Sequence, residues 1–134
     1  MSWANERQQI EARFDAWTAT PVKKENVPFN EPSTEFIAVY IRNGNSIKAS
    51  QGSTPQLRRS TGVVIVQVFG VENTGTHRIR GYADQVATIF RDTQIAVSAT
   101  EQISFWEPSI LTVPATNGRP QMNVETPFER DEIL

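Results

Sequence analysis

The sequence has 134 residues, which indicates one domain because domain lengths are commonest at about 100–150 residues. It contains no cysteine, so a disulfide framework and a thiolate metal site are both excluded. Thirteen basic and fifteen acidic residues give a net charge of −2, and no global positive field attracts nucleic acid or anionic lipid.

The first predicted element is a helix over about residues 3–18. Ser2 is a suitable N-cap, and Pro21 lies just past the end. Steps of four and three place Trp3, Arg7, Ile10, Phe14 and Trp17 on one stripe of this helix, and all but Arg7 are apolar. We expect this stripe to pack against a sheet. A partner-binding helix would require Trp3 or Trp17 to remain exposed.

The next segments are extended. Residues 20–32 contain three prolines, which predicts a connector or an edge segment. Residues 35–42 are apolar on both faces, as in a central strand. Asn43-Gly44-Asn45 predicts a tight hairpin turn with a returning strand at 46–50. With the polar residues that follow, we predict a mobile loop over about 43–56.

A strand followed by a helix forms the centre of the predicted fold. Residues 63–69 are rich in β-branched side chains and bounded by glycines, which is typical of a strand buried on both faces. A helix is predicted over about 76–91. Its apolar face comprises Ile79, Tyr82, Ala83, Val86 and Phe90. We expect this helix to lie across the sheet.

The remainder of the chain is predicted to be β-rich. Four short segments have weak alternation or apolar character: residues 94–100, 102–106, 110–113 and 121–126. We predict a frayed, solvated C-terminus over about 127–134. The predicted fold class is therefore α+β, with a mixed or antiparallel sheet packed by two main helices in a single domain over 1–134.

The sequence offers no candidate catalytic, metal-binding or cofactor-binding residue. His77 is the lone histidine, and no carboxylate stands beside it at ligand spacing. Ser60, His77 and Asp84 form a trio of suitable types, but no nucleophile-elbow motif surrounds Ser60. The glycines at 70 and 75 match neither a Walker loop nor a dinucleotide fingerprint.

Four arginines form the candidate binding feature of the sequence. Arg58 and Arg59 precede the central strand, and Arg78 and Arg80 open the second helix. If the fold brings them together, they are suited to an acidic partner surface or a DNA backbone. The alternative is ordinary surface charge.

The order of several motifs points to a known family. The motifs are Ile10, Phe14 and Trp17 on the first helix, Val27-Pro28-Phe29-Asn30-Glu31-Pro32, Phe36 in a strand, Arg59-x-x-Gly62 before the central strand, and Gly75 to Phe90 with Ala83-Asp84 and Val86. This order resembles the tail terminator family of long-tailed, non-contractile phages, including related prophage-encoded proteins. The resemblance covers about residues 10–92. Phe29 stands where many relatives have tryptophan.

The resemblance implies an α+β subunit that assembles with itself, usually as a hexameric ring, on the last ring of the tail tube. Its implied partners are the tail tube protein and the head–tail connector, and DNA only passes through the ring. The implied location is the host cytoplasm during assembly and then the virion tail. This agrees with the absence of a secretory signal or a membrane-spanning segment in the sequence.

Interface residues are predicted from local chemistry. For axial contacts we expect the segment 43–56, with Asn43, Lys48 and Gln51; for subunit or tube contacts through charge pairing we expect Arg58, Arg59, Arg78 and Arg80. Two alternatives remain open: a neck or head-completion protein of the same particle, and a monomeric binding module. An enzyme ranks last, because it would need a pocket that joins His77 with acidic groups.

Overall fold

The computed structural model describes residues 3–48, 56–72, 74–116 and 118–133. These residues form two helices and seven strands, which confirms the predicted α+β single domain. The elements in chain order are α1 (Trp3–Ala12), β1 (Val22–Lys24), β2 (Phe36–Lys48), β3 (Leu57–Phe69), α2 (His77–Phe90), β4 (Gln94–Ser98), β5 (Glu101–Phe105), β6 (Ser109–Thr116) and β7 (Arg119–Ile133).

All seven strands belong to one mixed sheet. Its order is β1-β2-β3-β7-β5-β4, and β6 also pairs with β7. Only the β1–β2 pair is parallel among the described pairs. Phe105 of β5 is opposite Phe128, and Ser109 of β6 is opposite Glu125. Thus β5 and β6 follow one another along the same side of β7.

The predicted central strand is confirmed as the inner part of β3. This strand pairs with β2 on one side and with β7 on the other along almost its whole length. Val64, Val66 and Val68 are buried in the core cluster that includes the α2 side chains, and Ile65 is buried on the opposite face. Because it is enclosed on both sides and both faces, its run of β-branched residues is continuous rather than alternating.

The predicted hairpin turn at residues 43–45 is wrong. Strand β2 continues through Asn43-Gly44-Asn45 to Lys48, with one extra residue between the pairs Asn43–Gly62 and Ser46–Ser60. The long β3 strand supplies partners beyond the asparagine–glycine pair, so the chain forms a bulge instead of reversing. The predicted loop is therefore strand as far as Lys48. Residues 49–55, with Gln51, lie outside the described residues.

The predicted frayed C-terminus is also wrong. Strand β7 runs through Ile133 and lies between β3 and β5, with Leu57 opposite Ile133 and Glu101 opposite Glu132. Its side chains alternate between a buried face and a partly exposed face. The charged run at 129–132 follows this period of two, so half of its charges are buried and the rest face outward.

The prediction of helix α2 is confirmed, whereas helix α1 is shorter than predicted. Four of the five expected α2 residues are buried and Tyr82 is half-buried. Helix α1 ends at Ala12 instead of residue 18, and a tighter turn follows, in which the Phe14 amide donates to the Glu11 carbonyl at 3.0 Å. Trp17 then packs edge-on against Tyr82, with ring centroids 6.2 Å apart.

Aromatic rings connect the two layers of the core. The ring centroids of Phe14 and Phe90 are 5.7 Å apart, those of Phe90 and Phe105 are 4.9 Å apart, and those of Phe105 and Phe128 are 5.9 Å apart. These residues come from the segment after α1, from α2, β5 and β7. Tilted aromatic pairs at these distances add to the energy of apolar burial.

A buried ionic cluster joins both ends of the chain. Arg130 on β7 is 1% exposed; its Nε lies 3.2 Å from Glu6 Oε1 on α1, and its Nη1 lies 3.4 Å from Glu132 Oε1. Glu101 Oε1 on β5 is 3.7 Å from Nη1, and Nη2 donates to Ser60 Oγ on β3 at 3.3 Å. One guanidinium therefore connects α1 with three strands.

Replacing this buried cation tests its structural role. Arg130→Met removes the buried cation that lies beside three buried carboxylates, so the free energy of unfolding should fall by about 3–5 kcal/mol. The matched control is Arg59→Met, because Arg59 is half-exposed and its ion pairs should contribute at most about 1 kcal/mol. Urea unfolding of both variants measures the difference. Equal losses of unfolding free energy in the two variants would show that the buried cluster contributes no more than the exposed ion pairs of Arg59.

Two glycines allow a test of packing on the sheet and on α2. A methyl group on Gly62 would lie 2.6 Å from Cζ of Phe128 and 3.1 Å from the Arg42 carbonyl oxygen, whereas one on Gly81 would meet nothing within 4 Å. We expect Gly62→Ala to destabilise the fold by about 1–3 kcal/mol. Gly81→Ala should stabilise it by about 0.4–1 kcal/mol, because alanine restricts the unfolded chain. Thermal unfolding of both variants reports the signs; a neutral Gly62→Ala would contradict the close packing.

Candidate assembly surfaces

The structure separates the four arginines predicted to form a basic cluster. Arg58 and Arg59 lie at the start of β3, whereas Arg78 and Arg80 are in the first turns of α2, which follows the other end of β3. A thirteen-residue strand spans about 40 Å, so the two pairs do not form one surface.

Two of these arginines make ion pairs within the chain. Arg59 donates two hydrogen bonds to Asp131, at 2.8 and 3.1 Å, and lies 3.5 Å from Glu129. Hydrogen bonding and charge attraction from Asp131 raise the pKa of Arg59. Arg78 donates to Tyr82 at 3.1 Å and lies 2.7 Å from Glu35. Both guanidiniums hold neighbouring elements together.

Of the other predicted contact residues, Asn43 has a structural role, whereas Arg80, Lys48 and Arg58 are exposed. Asn43 donates to Glu6 Oε2 at 2.8 Å and so helps to hold α1. Arg80 is exposed, with one long contact from its Nε to Thr76 Oγ1 at 3.5 Å. Lys48 and Arg58 face each other at the ends of β2 and β3. Within the described residues neither has a carboxylate at ion-pair distance.

Lys48 and Arg58 line a groove of about 430 Å³. Trp3 and Ile47, both exposed, form its apolar part, and the buried Arg130 lies at its base, 5.7 Å from the centre of the Trp3 ring. Exposed apolar surface beside cations that have no carboxylate partner in the described part of the chain suits an acidic, partly apolar partner. Trp3 was predicted to lie in the packed stripe of α1, yet half of its surface is exposed.

A second groove, of about 330 Å³, crosses the sheet away from the ionic cluster. Its lining includes Arg42, Val63, Pro127 and the exposed Trp106. The pattern of residues did not indicate that Trp106 is exposed, because it ends a weakly alternating segment. Tryptophan is enriched at protein interfaces relative to the rest of the surface.

The opposite end of the sheet has a different, more acidic cleft of about 340 Å³ between Glu31 and Glu72. Arg119 closes its side, lies 3.2 Å from Glu31 and donates to the carbonyl oxygens of Gly70 at 2.9 Å and Pro32 at 2.7 Å. The two ends of the molecule along the strand direction are thus chemically unlike.

The described residues contain no group of three histidine, cysteine, aspartate or glutamate side chains arranged to hold a metal ion. None of their helices is long and apolar enough to span a membrane.

The ionic cluster makes stability depend on pH. Burial raises the pKa of Glu6, against the hydrogen bonds from Asn43 and Arg130, which lower it; the Glu101 charge adds a smaller rise. The folded protein therefore binds this proton more tightly than the unfolded chain. Between the raised pKa and the ordinary value of 4.5, a fall in pH stabilises the fold through this group.

Glu6→Gln removes this titration while keeping an oxygen that accepts hydrogen bonds. As the pH falls from 7 towards 4.5, the wild type should gain stability relative to Glu6→Gln, because only the wild type takes up the proton. Chemical unfolding of both proteins at several pH values measures this difference. A difference that is constant, or that shrinks as the pH falls, would contradict the raised pKa.

Comparisons with known proteins assign this architecture. The sequence profile of the family described as phage tail terminator protein matches residues 7–124, well beyond the motifs at 10–92. One solved structure has the same fold, with a TM-score of 0.67 and 14% identity over 98% of this chain and 91% of that chain. No curated protein matches the sequence. The profile match covers most of the chain, and the protein therefore belongs to the phage tail terminator family.

Proposed function

We propose that this protein is a structural component of the virion tail that caps the tail tube as a ring, ends tube growth and presents the surface that joins the head. The observation that carries the proposal is the family match over residues 7–124. The family points to a structural role rather than to catalysis.

The two unlike ends of the subunit support a terminating role. A terminator must bind the growing tube with one face while its opposite face offers no template for another ring of tube subunits. At one end of the sheet, Lys48 and Arg58 flank an apolar groove; at the other, Glu31 and Glu72 border the cleft closed by Arg119. A subunit with such different ends presents unlike faces to its two neighbours along the tube.

The predicted contact residues fall into two groups, those exposed to a partner and those that bond within the chain. We propose Lys48, Arg58 and Arg80 as direct contacts with tube or subunit partners, because their cations are exposed and have no carboxylate at ion-pair distance within the described residues. Asn43, Arg59 and Arg78 are proposed to act indirectly, by fixing the elements that carry the surfaces. Gln51 stays a predicted contact, because it lies outside the described residues.

The alternative is a neck or head-completion protein of the same particle, which would use a ring of similar size. Binding partner separates the two: a terminator binds the end of the tail tube, whereas a head-completion protein binds the filled head. The family match favours the tube.

The proposal predicts control of tube length. The tail tube protein encoded in the same genome is polymerised with and without this protein, and tube lengths are measured by negative-stain electron microscopy. We expect shorter tubes that carry extra density at one end, because bound rings block further addition. Unchanged lengths with bare ends would contradict the proposal, and density on filled heads instead would favour the head-completion alternative.

A charge-reversed variant refines this test. Lys48→Glu with Arg58→Glu should weaken capping while the unfolding midpoint stays close to that of the wild type, since both side chains are exposed and form no ion pair with the residues that the structure describes. Asp84→Lys, on the exposed face of α2, is the matched control for a reversed surface charge and should cap normally. Normal capping by the double variant would remove the groove from the proposed contacts.

A further inference from the structure

Charge is divided across the width of the sheet. Strands β1 to β3 contain six cationic side chains and no carboxylate, whereas strands β4 to β7 contain five carboxylates and two arginines. The cations are Lys23, Lys24, Arg42, Lys48, Arg58 and Arg59; the carboxylates are Glu101, Glu125, Glu129, Asp131 and Glu132. One side of the sheet is therefore basic and the other acidic.

Internal ion pairs neutralise part of this division, but charges on both sides of the sheet keep no oppositely charged partner among the described residues. Arg59 is neutralised by Asp131, and Arg130 by the buried glutamates. Lys23 and Lys24 on β1 have no carboxylate partner among the described residues. Glu125, opposite the first residue of β6, likewise has no cationic partner there.

Strand β6 is an open edge with unusual composition. Its eight residues, Ser109–Thr116, include no charged side chain, and Ile110 and Leu111 are each 43% exposed. Within the described residues β6 pairs only with β7. A long, uncharged edge strand with exposed apolar residues is a template for pairing with another strand. Glu107, whose side chain is 71% exposed, precedes it and lies 3.4 Å from Arg91.

Strand β1 is the edge on the opposite side of the sheet. It consists of Val22–Lys24, and in the described part of the chain it pairs only with β2. The exposed Val27 follows it, 48% accessible. Glu25 is also near this edge, but the Arg7 guanidinium lies beside it and donates to its carbonyl oxygen. The β1 edge thus combines two lysines with apolar surface, the complement of the β6 edge.

We propose that copies of this chain associate head to tail, with the β6 edge of one copy against the β1 edge of the next. Such a contact joins Lys23 and Lys24 to Glu107 and Glu125 and covers Ile110 and Leu111. It is heterologous, so repetition closes a ring or extends a filament. The inference deepens the proposed function by naming the contact between ring subunits, and it rests on that function only in expecting self-association.

Charge also argues against the symmetric arrangements. A β1–β1 contact would bring four lysines together, and a β6–β6 contact would supply no cation to Glu125 of either copy, because β6 contains no charged side chain. Like charges across an interface are unfavourable, whereas the head-to-tail contact places opposite charges on each other. The second copy therefore fits the β6 edge better in the heterologous orientation.

Cysteine cross-linking tests the contact, because the natural sequence has no cysteine. Lys23 and Leu111 lie on the same face of the sheet, as their partners Ala38 and Asn123 show. The variant with both Lys23→Cys and Leu111→Cys, treated with a short thiol cross-linker at high protein concentration, should give a ladder of covalent species longer than a dimer. Each single-cysteine variant should stay monomeric on the denaturing gel.

The outcomes are distinct. Dimers from the single-cysteine variants would indicate a symmetric contact and overturn the proposal, and so would a chain that stays monomeric at every concentration. Rings that cap tubes without a ladder would overturn this contact while leaving the proposed function intact. A ladder from a protein that does not cap tubes would support the contact and contradict the proposed function.

Charge exchange gives a second, independent test. Lys23→Glu with Lys24→Glu should weaken self-association by ~10-fold or more, because opposite charges become like charges. Adding Glu107→Lys and Glu125→Lys in the same chain should restore it, since the pairs are then reversed. Sedimentation measures association, and circular dichroism confirms that each variant folds. If the fourfold variant folds but does not recover self-association, the result would contradict the proposed pairing.

Discussion

The structure depends on one buried cation. Arg130 lies beneath the ring of Trp3 and within 4 Å of three glutamates that come from α1, β5 and β7. Removing a guanidinium from water costs several kcal/mol, and only nearby carboxylates and hydrogen-bond acceptors offset that cost. The cluster is therefore satisfied in one arrangement of these elements, which brings the two ends of the chain together at one end of the sheet.

The position of β7 follows from this cluster and from the apolar residues beside it. Met122, Val124 and Phe128 share the buried face with Arg130, so the strand has to lie between β3 and the β5–β6 line. That order leaves β1 as the edge on one side of the sheet, and β4 and β6 as edges on the other. The core thus determines which backbone groups remain available to another subunit.

Sequence reasoning found the elements whose signals are local. The continuous β-branched run predicted the inner part of β3, and the apolar face of α2 predicted that helix within one residue at each end. The predicted turn at Asn43-Gly44-Asn45 does not form, because pairing with the long β3 strand outweighs the local turn preference. The C-terminal charges were assigned to a solvated end because a charge run resembles one. The alternation from Met122 to Glu132 was the available signal for a strand with one buried face.

The candidate surfaces were harder to predict for a different reason. Neighbouring arginines in sequence suggested one cluster, but strand length separates them, and Arg59 and Arg78 form pairs with carboxylates distant in sequence. The division of charge between β1–β3 and β4–β7 appears only when strand order is known. The family resemblance was read from motifs in the first two-thirds of the chain, and the profile match through residue 124 establishes it.

Electron cryomicroscopy of the assembled protein on tail tubes, at a resolution that traces the backbone, would show directly how neighbouring subunits meet. We expect β6 of each subunit to lie beside β1 of its neighbour, with Ile110 and Leu111 covered and Lys23 and Lys24 near Glu107 and Glu125. A ring in which both strand edges face solvent, or in which subunits meet through the exposed faces of α1 and α2, would contradict it.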